Sequence, residues 1–177
     1  MNVIAGYLGG RSITTPRGNR TKPMAERVRG ALFNKLEVTG KSVLDPYAGS
    51  AALSVEALSR GASSALAIES DKQAQRAIEN NIEALNIAEK LTLVSANCLS
   101  WSKLNVDKRF DILLLDPPYD SFNLDSIQTL SRHLSTNGIM VLSYPGRREA
   151  VPNVDGVVVV DARSYGDAAL AFYRNEN

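Results

Sequence analysis

The sequence predicts an α/β fold: a mostly parallel sheet with helices on both faces, an antiparallel C-terminal hairpin, and a small basic N-terminal extension. Three observations carry this expectation. Short apolar runs, SVLD (42–45), ALAIES (65–70), LTLVSA (91–96) and FDILLLD (110–116), alternate with stretches of helical periodicity, the pattern of βα units whose strands run parallel. The fourth run is apolar along its length, as a strand covered on both faces should be. The last two runs, GVVVVDARS (156–164) and AALAFYR (168–174), flank Tyr165-Gly166-Asp167, a good hairpin turn.

Taken in order, residues 2–15 hold β-prone pieces broken by Gly9-Gly10, which suggests a hairpin. Residues 16–22, PRGNRTK, form a basic loop, and Pro23 suits the first turn of a helix. Val28, Ala31, Leu32 and Leu36 then recur at helical spacing, predicting an amphipathic helix over 23–37. After SVLD comes a turn of small residues, then a helix to about Ser59 closed by Gly61. Asp71 caps a helix reaching about Asn86, with Ala74, Ala77, Ile78, Ile82 and Leu85 inward. A helix near 124–134 precedes the strand GIMVLSY (138–144). His133 falls in that helix as a partly exposed structural residue, and Trp101 reads as core.

The chain has 177 residues, 44% apolar and 22% charged, enough for one domain with a substantial core. No run of about 18 apolar residues suggests a membrane span, and MNVIAGYLGGRS has no signal-peptide pattern. One cysteine, Cys98, suits a reducing compartment, and one cysteine with one histidine cannot make an ordinary zinc site. A cytoplasmic, metal-free monomer is the expectation. Net charge is +1 but unevenly spread: residues 1–41 carry eight basic groups against two acids, or +6, and the rest carries −5. An anionic partner or a merely solvated basic face explains this about equally well. The boundary suggested is 1–41, a docking extension, against 42–177, the catalytic domain.

Ligands of open α/β sheets bind where strands end, which singles out Asp45–Ala51, Glu69, Asn97-Cys98 and Asp116–Tyr119. The first loop, DPYAGSAAL, is neither G-x-G-x-x-G nor a phosphate-binding G-K-[ST] loop, which counts against nicotinamide enzymes and P-loop NTPases. Glu69 can accept hydrogen bonds from two ribose hydroxyls, or simply favour a helix N-terminus. In DPPY, two prolines stiffen the backbone and leave no amide hydrogens at 117 and 118, Asp116 can accept from an exocyclic amine, and Tyr119 can stack on a base. The alternative is a strand-end turn with a core tyrosine; the position after a fourth strand favours the functional reading.

The combination of D-x-x-x-G after strand one, an acid after strand two and [DNS]-P-P-[YFW] after strand four resembles class I, Rossmann-like S-adenosylmethionine-dependent methyltransferases acting on exocyclic amines. RTKPMAERVRGALFNKL (20–36), VLDPYAGSAALSVEALSRGA (43–62), LLLDPPY (113–119) and YGDAALAFYR (165–174) are similar to the RsmD family, which methylates N2 of a guanine in 16S ribosomal RNA. The resemblance implies that Asp45, Ala48 and Gly49 line the methionine end of S-adenosylmethionine, Glu69 holds the ribose, and Asn97 and Cys98 flank the adenine. It implies that Asp116, Pro117 and Tyr119 hold the guanine, and that Arg20, Lys22 and Arg27 meet RNA phosphates, with 16S RNA, the 30S subunit or an assembly intermediate as partner; Arg17, in the same basic segment, joins them by its charge. This chain has Ala51 where the family usually has a second glycine, and Asn97 where it usually has Asp. The alternatives are an N6-adenine DNA methyltransferase, which shares DPPY but usually carries a further recognition domain, and a noncatalytic RNA-binding relative.

Overall fold

In β1 (Ser42–Asp45) the side chains of Val43, Leu44 and Asp45 have no exposed surface, which explains why so short a run holds as a strand. The computed structural model describes residues 1–16, 23–146 and 150–177, and these form two compact units, Met1–Cys98 and Leu99–Asn177. Among the described residues there are five α-helices and seven strands.

In the first unit, β1, β2 (Ser64–Glu69) and β3 (Leu91–Ser95) lie parallel in the order β3-β2-β1, with Asp45 level with Ala67 and Glu69 level with Ser95. The crossovers are α2 (Ala52–Ser59) and α3 (Lys72–Leu85). Asp71 caps α3 as its sequence suggests, accepting from the amides of Gln73 at 2.9 Å and Ala74 at 3.0 Å. Asn86 ends the helix in the left-handed region at φ 54°. α1 spans Glu26–Lys35, shorter than the 23–37 periodicity because Leu36 is already extended.

The expected N-terminal hairpin reduces to one bridge, Asn2 with Ser12. Three amides still bond across it, Val3 to the Arg11 carbonyl, Gly10 to that of Val3 and Ile13 to that of Met1, and others find partners elsewhere. The amides of Ile4 and Ala5 donate to Glu56, that of Leu8 donates to Ser59 Oγ, and that of Tyr7 to the Ser59 carbonyl. Gly6, at φ 82°, permits this approach, since a Cβ there would stand 1.9 Å from the Ser59 carbonyl oxygen. Glu56 is fully buried and also accepts from Arg60 Nε at 2.7 Å, while Arg29, equally buried, lies 3.9 Å away and donates to the Asn2 carbonyl. Arg29 therefore belongs to the interior, not to a basic surface, and the +6 of residues 1–41 overstates what solvent meets. No unit boundary falls at 41/42; the described part of this segment is bonded into the first unit, whose limit is Cys98.

In the second unit, β4 (Phe110–Leu115) pairs in parallel with β5 (Leu134–Pro145), and the antiparallel β6 (Val158–Tyr165) and β7 (Ala168–Arg174) complete the order β4-β5-β7-β6. Gly166, at φ 78°, makes the expected turn. α4 (Cys98–Leu104), starting at the last residue of the first unit, has no counterpart in the sequence reading because its polar residues mask its periodicity. α5 (Leu124–Ser131) stops short of residue 134, and β5 starts earlier than 138, with a bulge between Phe110 and Ile112 in its pairing and Asn137 at φ 60°. His133 is consequently not in a helix. It is buried beside Trp101, with Nε2 2.7 Å from Ser102 Oγ and Nδ1 2.8 Å from the Lys108 carbonyl. Burial lowers its pKa. Trp101 is core, as expected. No helix among the described residues is long and apolar enough to cross a membrane.

Candidate functional site

The strand-end loops of the first unit are tied together through Glu69. Its Oε2 accepts from the Gly49 amide and its Oε1 from the Asp71 amide, each at 2.8 Å, and its carbonyl accepts from Gln75 Nε2 at 2.8 Å and the Ala96 amide at 3.1 Å. One residue thus joins the loops that follow β1, β2 and β3. Each carboxylate oxygen retains acceptor capacity for a hydroxyl.

Asp45 is fully buried, and its Oδ2 accepts from Ser54 Oγ in the first turn of α2 at 2.8 Å. It braces the loop from beneath and is closed to solvent. Ala48 is buried, and Gly49 sits at φ 57° with open space where a Cβ would point. The loop therefore offers bare backbone there, as a closely bound nucleoside derivative requires. Ala51 occupies the left-handed region, φ 58° and ψ 28°, at the N-cap of α2 and fully buried. This conformation favours glycine, so the alanine here carries backbone strain.

Asn97 is exposed immediately before α4, and Cys98 is buried at its first position. Tyr47 was not singled out by its sequence, yet its hydroxyl is hydrogen-bonded to Cys98, and burial, then Cys98, raises its pKa. The one aromatic ring in a loop of small residues was the available signal. Asn81 was missed too. This buried residue of α3 accepts from the Thr14 amide at 2.8 Å and donates to the Thr14 carbonyl at 2.9 Å and the Ser50 carbonyl at 3.0 Å, linking the N-terminal segment to the β1 loop.

In the second unit LLL is the buried end of β4, and Asp116 to Tyr119 form its rim. Asp116 is half-buried, Pro117 buried and Pro118 exposed, and Tyr119 opens a short 3-10 turn over Tyr119–Ser121. Burial pushes the Asp116 carboxyl up to about 6, against the opposing pull of a hydrogen bond from Ser143. Tyr119 Oη stands 2.7 Å from Ser143 Oγ, and burial raises this phenol as well. A carboxylate at this value is mostly ionised at neutral pH yet basic enough to take a proton. Leu115 lies level with Leu142, so the strand register puts Ser143 beside Asp116; this is the cue that sequence reading lacked.

Arg27 is exposed on α1, whereas Arg17, Arg20 and Lys22 lie outside the described residues. A cavity of about 560 Å³ in the second unit, bordered by Ser102, Arg109 and His133, opens where β4 and β5 begin. β4 runs for six residues from that end to the rim, roughly 20 Å of strand. The cavity thus lies at the opposite end of β4 from Asp116.

Known proteins share both the sequence and this architecture. The model of a family described as conserved hypothetical protein 95 matches residues 1–174. YlbH of Bacillus subtilis (strain 168), assigned provisionally as an rRNA methyltransferase, is 30% identical over 182 residues, 98% of either chain. Ribosomal RNA small subunit methyltransferase D of Escherichia coli (strain K12) is 33% identical over 121 residues, 67% of this chain and 60% of that one. The solved structure of yhhF from Escherichia coli, provisionally a methyltransferase, superposes with a TM-score of 0.86 at 26% identity over 99% of this chain and 98% of that one.

Proposed function

The chain belongs to the conserved hypothetical protein 95 family, and from that premise we propose that it transfers a methyl group from S-adenosylmethionine to the exocyclic N2 amine of a guanine in 16S ribosomal RNA. Its fold is that of the class I methyltransferases. The observation that carries the choice of an amine acceptor is the rim itself: a half-buried carboxylate of raised pKa beside two prolines and a tyrosine whose hydroxyl is pinned.

The loops of the first unit suit the cofactor. Gly49 offers unobstructed backbone, Glu69 has acceptor capacity for ribose hydroxyls, and Asn97 offers a carbonyl acceptor and amide donors at an exposed position for the adenine, with Cys98 below. Asp45 and Ala48 shape the methionine end from within the loop. When bound, S-adenosylmethionine supplies a methyl group on a positively charged sulfur, which leaves as a neutral thioether.

The rest of the work falls to the rim. Guanine N2 is a weak nucleophile because its lone pair is delocalised into the ring. Hydrogen bonds from the amine to Asp116 and to the Pro117 carbonyl favour a pyramidal nitrogen with its lone pair free for attack. Tyr119 stacks on the base, an interaction worth roughly 1–3 kcal/mol. Once the nitrogen–methyl bond has formed, the nitrogen sheds one proton, and a carboxylate of pKa about 6 can receive it. Positioning and electrostatics supply most of the acceleration. Arg17, Arg20, Lys22 and Arg27 dock the RNA backbone.

The test is transfer from labelled cofactor to 30S particles and to free 16S RNA, followed by nucleoside analysis. N2-methylguanosine is the expected product. N6-methyladenosine would assign the rim to adenine, and no transfer to either substrate would refute the proposal.

A further inference from the structure

Ser143 appears in none of the sequence motifs, yet it bonds to both polar members of the rim. It is 2% exposed at the end of β5, its Oγ lies 2.7 Å from Tyr119 Oη, and it is also hydrogen-bonded to the Asp116 carboxylate. A hydroxyl has one proton to give and two lone pairs. While Asp116 is ionised it can only accept, so Ser143 must donate to Asp116 and Tyr119 must donate to Ser143. Once Asp116 is protonated it can donate, and the chain can run the other way, from Asp116 to Ser143 to Tyr119, with the phenolic proton turned outward. A hydroxyl satisfies both states without moving a heavy atom.

Resting on the reading of Asp116 and Tyr119 as the guanine-holding rim, we propose that Ser143 is the positioning residue of the acceptor site. Its hydroxyl holds the Asp116 carboxylate and the Tyr119 ring in one geometry and reverses its donor direction when Asp116 takes up a proton. The surroundings suit the task. Among the described residues, the groups bearing electrostatically on this pair are Ser143 from β5, on both, and Asp116 on Tyr119. Among the described residues, no ion pair competes with the hydroxyl for control of the carboxylate.

The test uses the full chain as wild type, Ser143→Ala and Ser143→Thr. The Asp116 carboxyl is titrated by NMR without substrate, and kcat and KM are followed against pH. Loss of a hydrogen bond to a charged acceptor should move the Asp116 titration in Ser143→Ala upward by about one unit. The acid limb of the rate should move with it. kcat should fall by roughly 10–100-fold with KM for the cofactor unchanged, the scale for misplacing a reacting group. Ser143→Thr, which keeps the hydroxyl, should restore the titration and much of the rate. An unmoved titration and limb in a folded Ser143→Ala protein would overturn the proposal, even if its rate were low at every pH. If the titration moves but the wild type does not methylate guanine, the substrate assignment fails and the role of Ser143 stands.

Discussion

Ala51 is the residue where local strain meets the loop proposed to hold the cofactor. An L-residue in the left-handed region costs about 1–2 kcal/mol, and glycine relieves that at an entropic cost of about 0.5–1 kcal/mol. Ala51→Gly should therefore stabilise the protein by about 0.5–1 kcal/mol, measured as a higher urea midpoint with unchanged m-value. A lower midpoint would mean that the buried methyl contributes more by packing than the backbone loses. Residue by residue, the sequence displayed the proposed site residues and hid the side chains that support them. Asp116, Tyr119 and Glu69 stand out because acids and aromatics at strand ends break an apolar pattern. Tyr47, Asn81 and Ser143 did not stand out, because their partners are distant in sequence and only folding brings them together.

At the scale of elements, two carboxylates do the joining, Glu56 fully buried and Glu69 half-buried. Glu56 gathers α1, α2 and the N-terminal segment by accepting from Ile4, Ala5 and Arg60 beside Arg29. Glu56→Ala leaves a buried guanidinium and two amides without their acceptor, and should cost about 3–5 kcal/mol in urea denaturation. Glu69 joins the loops after the three strands of the first unit. Glu69→Ala should weaken cofactor binding by roughly 1.5–3 kcal/mol in calorimetry, with faster hydrogen exchange at the Gly49 and Asp71 amides. Unchanged affinity would remove Glu69 from the cofactor site. The strands were legible because each is a dense apolar run. The N-terminal hairpin is curtailed: the amides of Val3, Gly10 and Ile13 bond across it, while those of Ile4, Ala5 and Leu8 turn to Glu56 and Ser59 instead. α4 was missed because CLSWSKL has too little apolar periodicity to announce a helix.

For the whole molecule, the sequence suggested a basic arm attached to a catalytic domain, whereas residues up to Cys98 form one unit in which Asn81 bonds Thr14 to the β1 loop. The arm's charge still marks it as the surface proposed to meet RNA. Replacing Arg17, Arg20 and Lys22 together by alanine should flatten the salt dependence of RNA binding by roughly 2–3 units in slope, about 0.7–0.9 for each phosphate no longer neutralised. Cofactor affinity should barely change, and an unaltered RNA slope would make the arm a solvated face.

The central claim is that Asp116 serves the acceptor and not the cofactor. The measurement that tests it most directly is single-turnover methyl transfer to the small subunit by wild type and Asp116→Ala across pH, with cofactor affinity measured on the same samples. Wild-type transfer should fall as pH drops through about 6, because protonation removes the acceptor. Asp116→Ala should lose nearly all transfer, by roughly 10²-fold or more, and bind the cofactor within a few fold of wild type. Near-normal methylation by Asp116→Ala, or loss of its cofactor binding, would contradict the account.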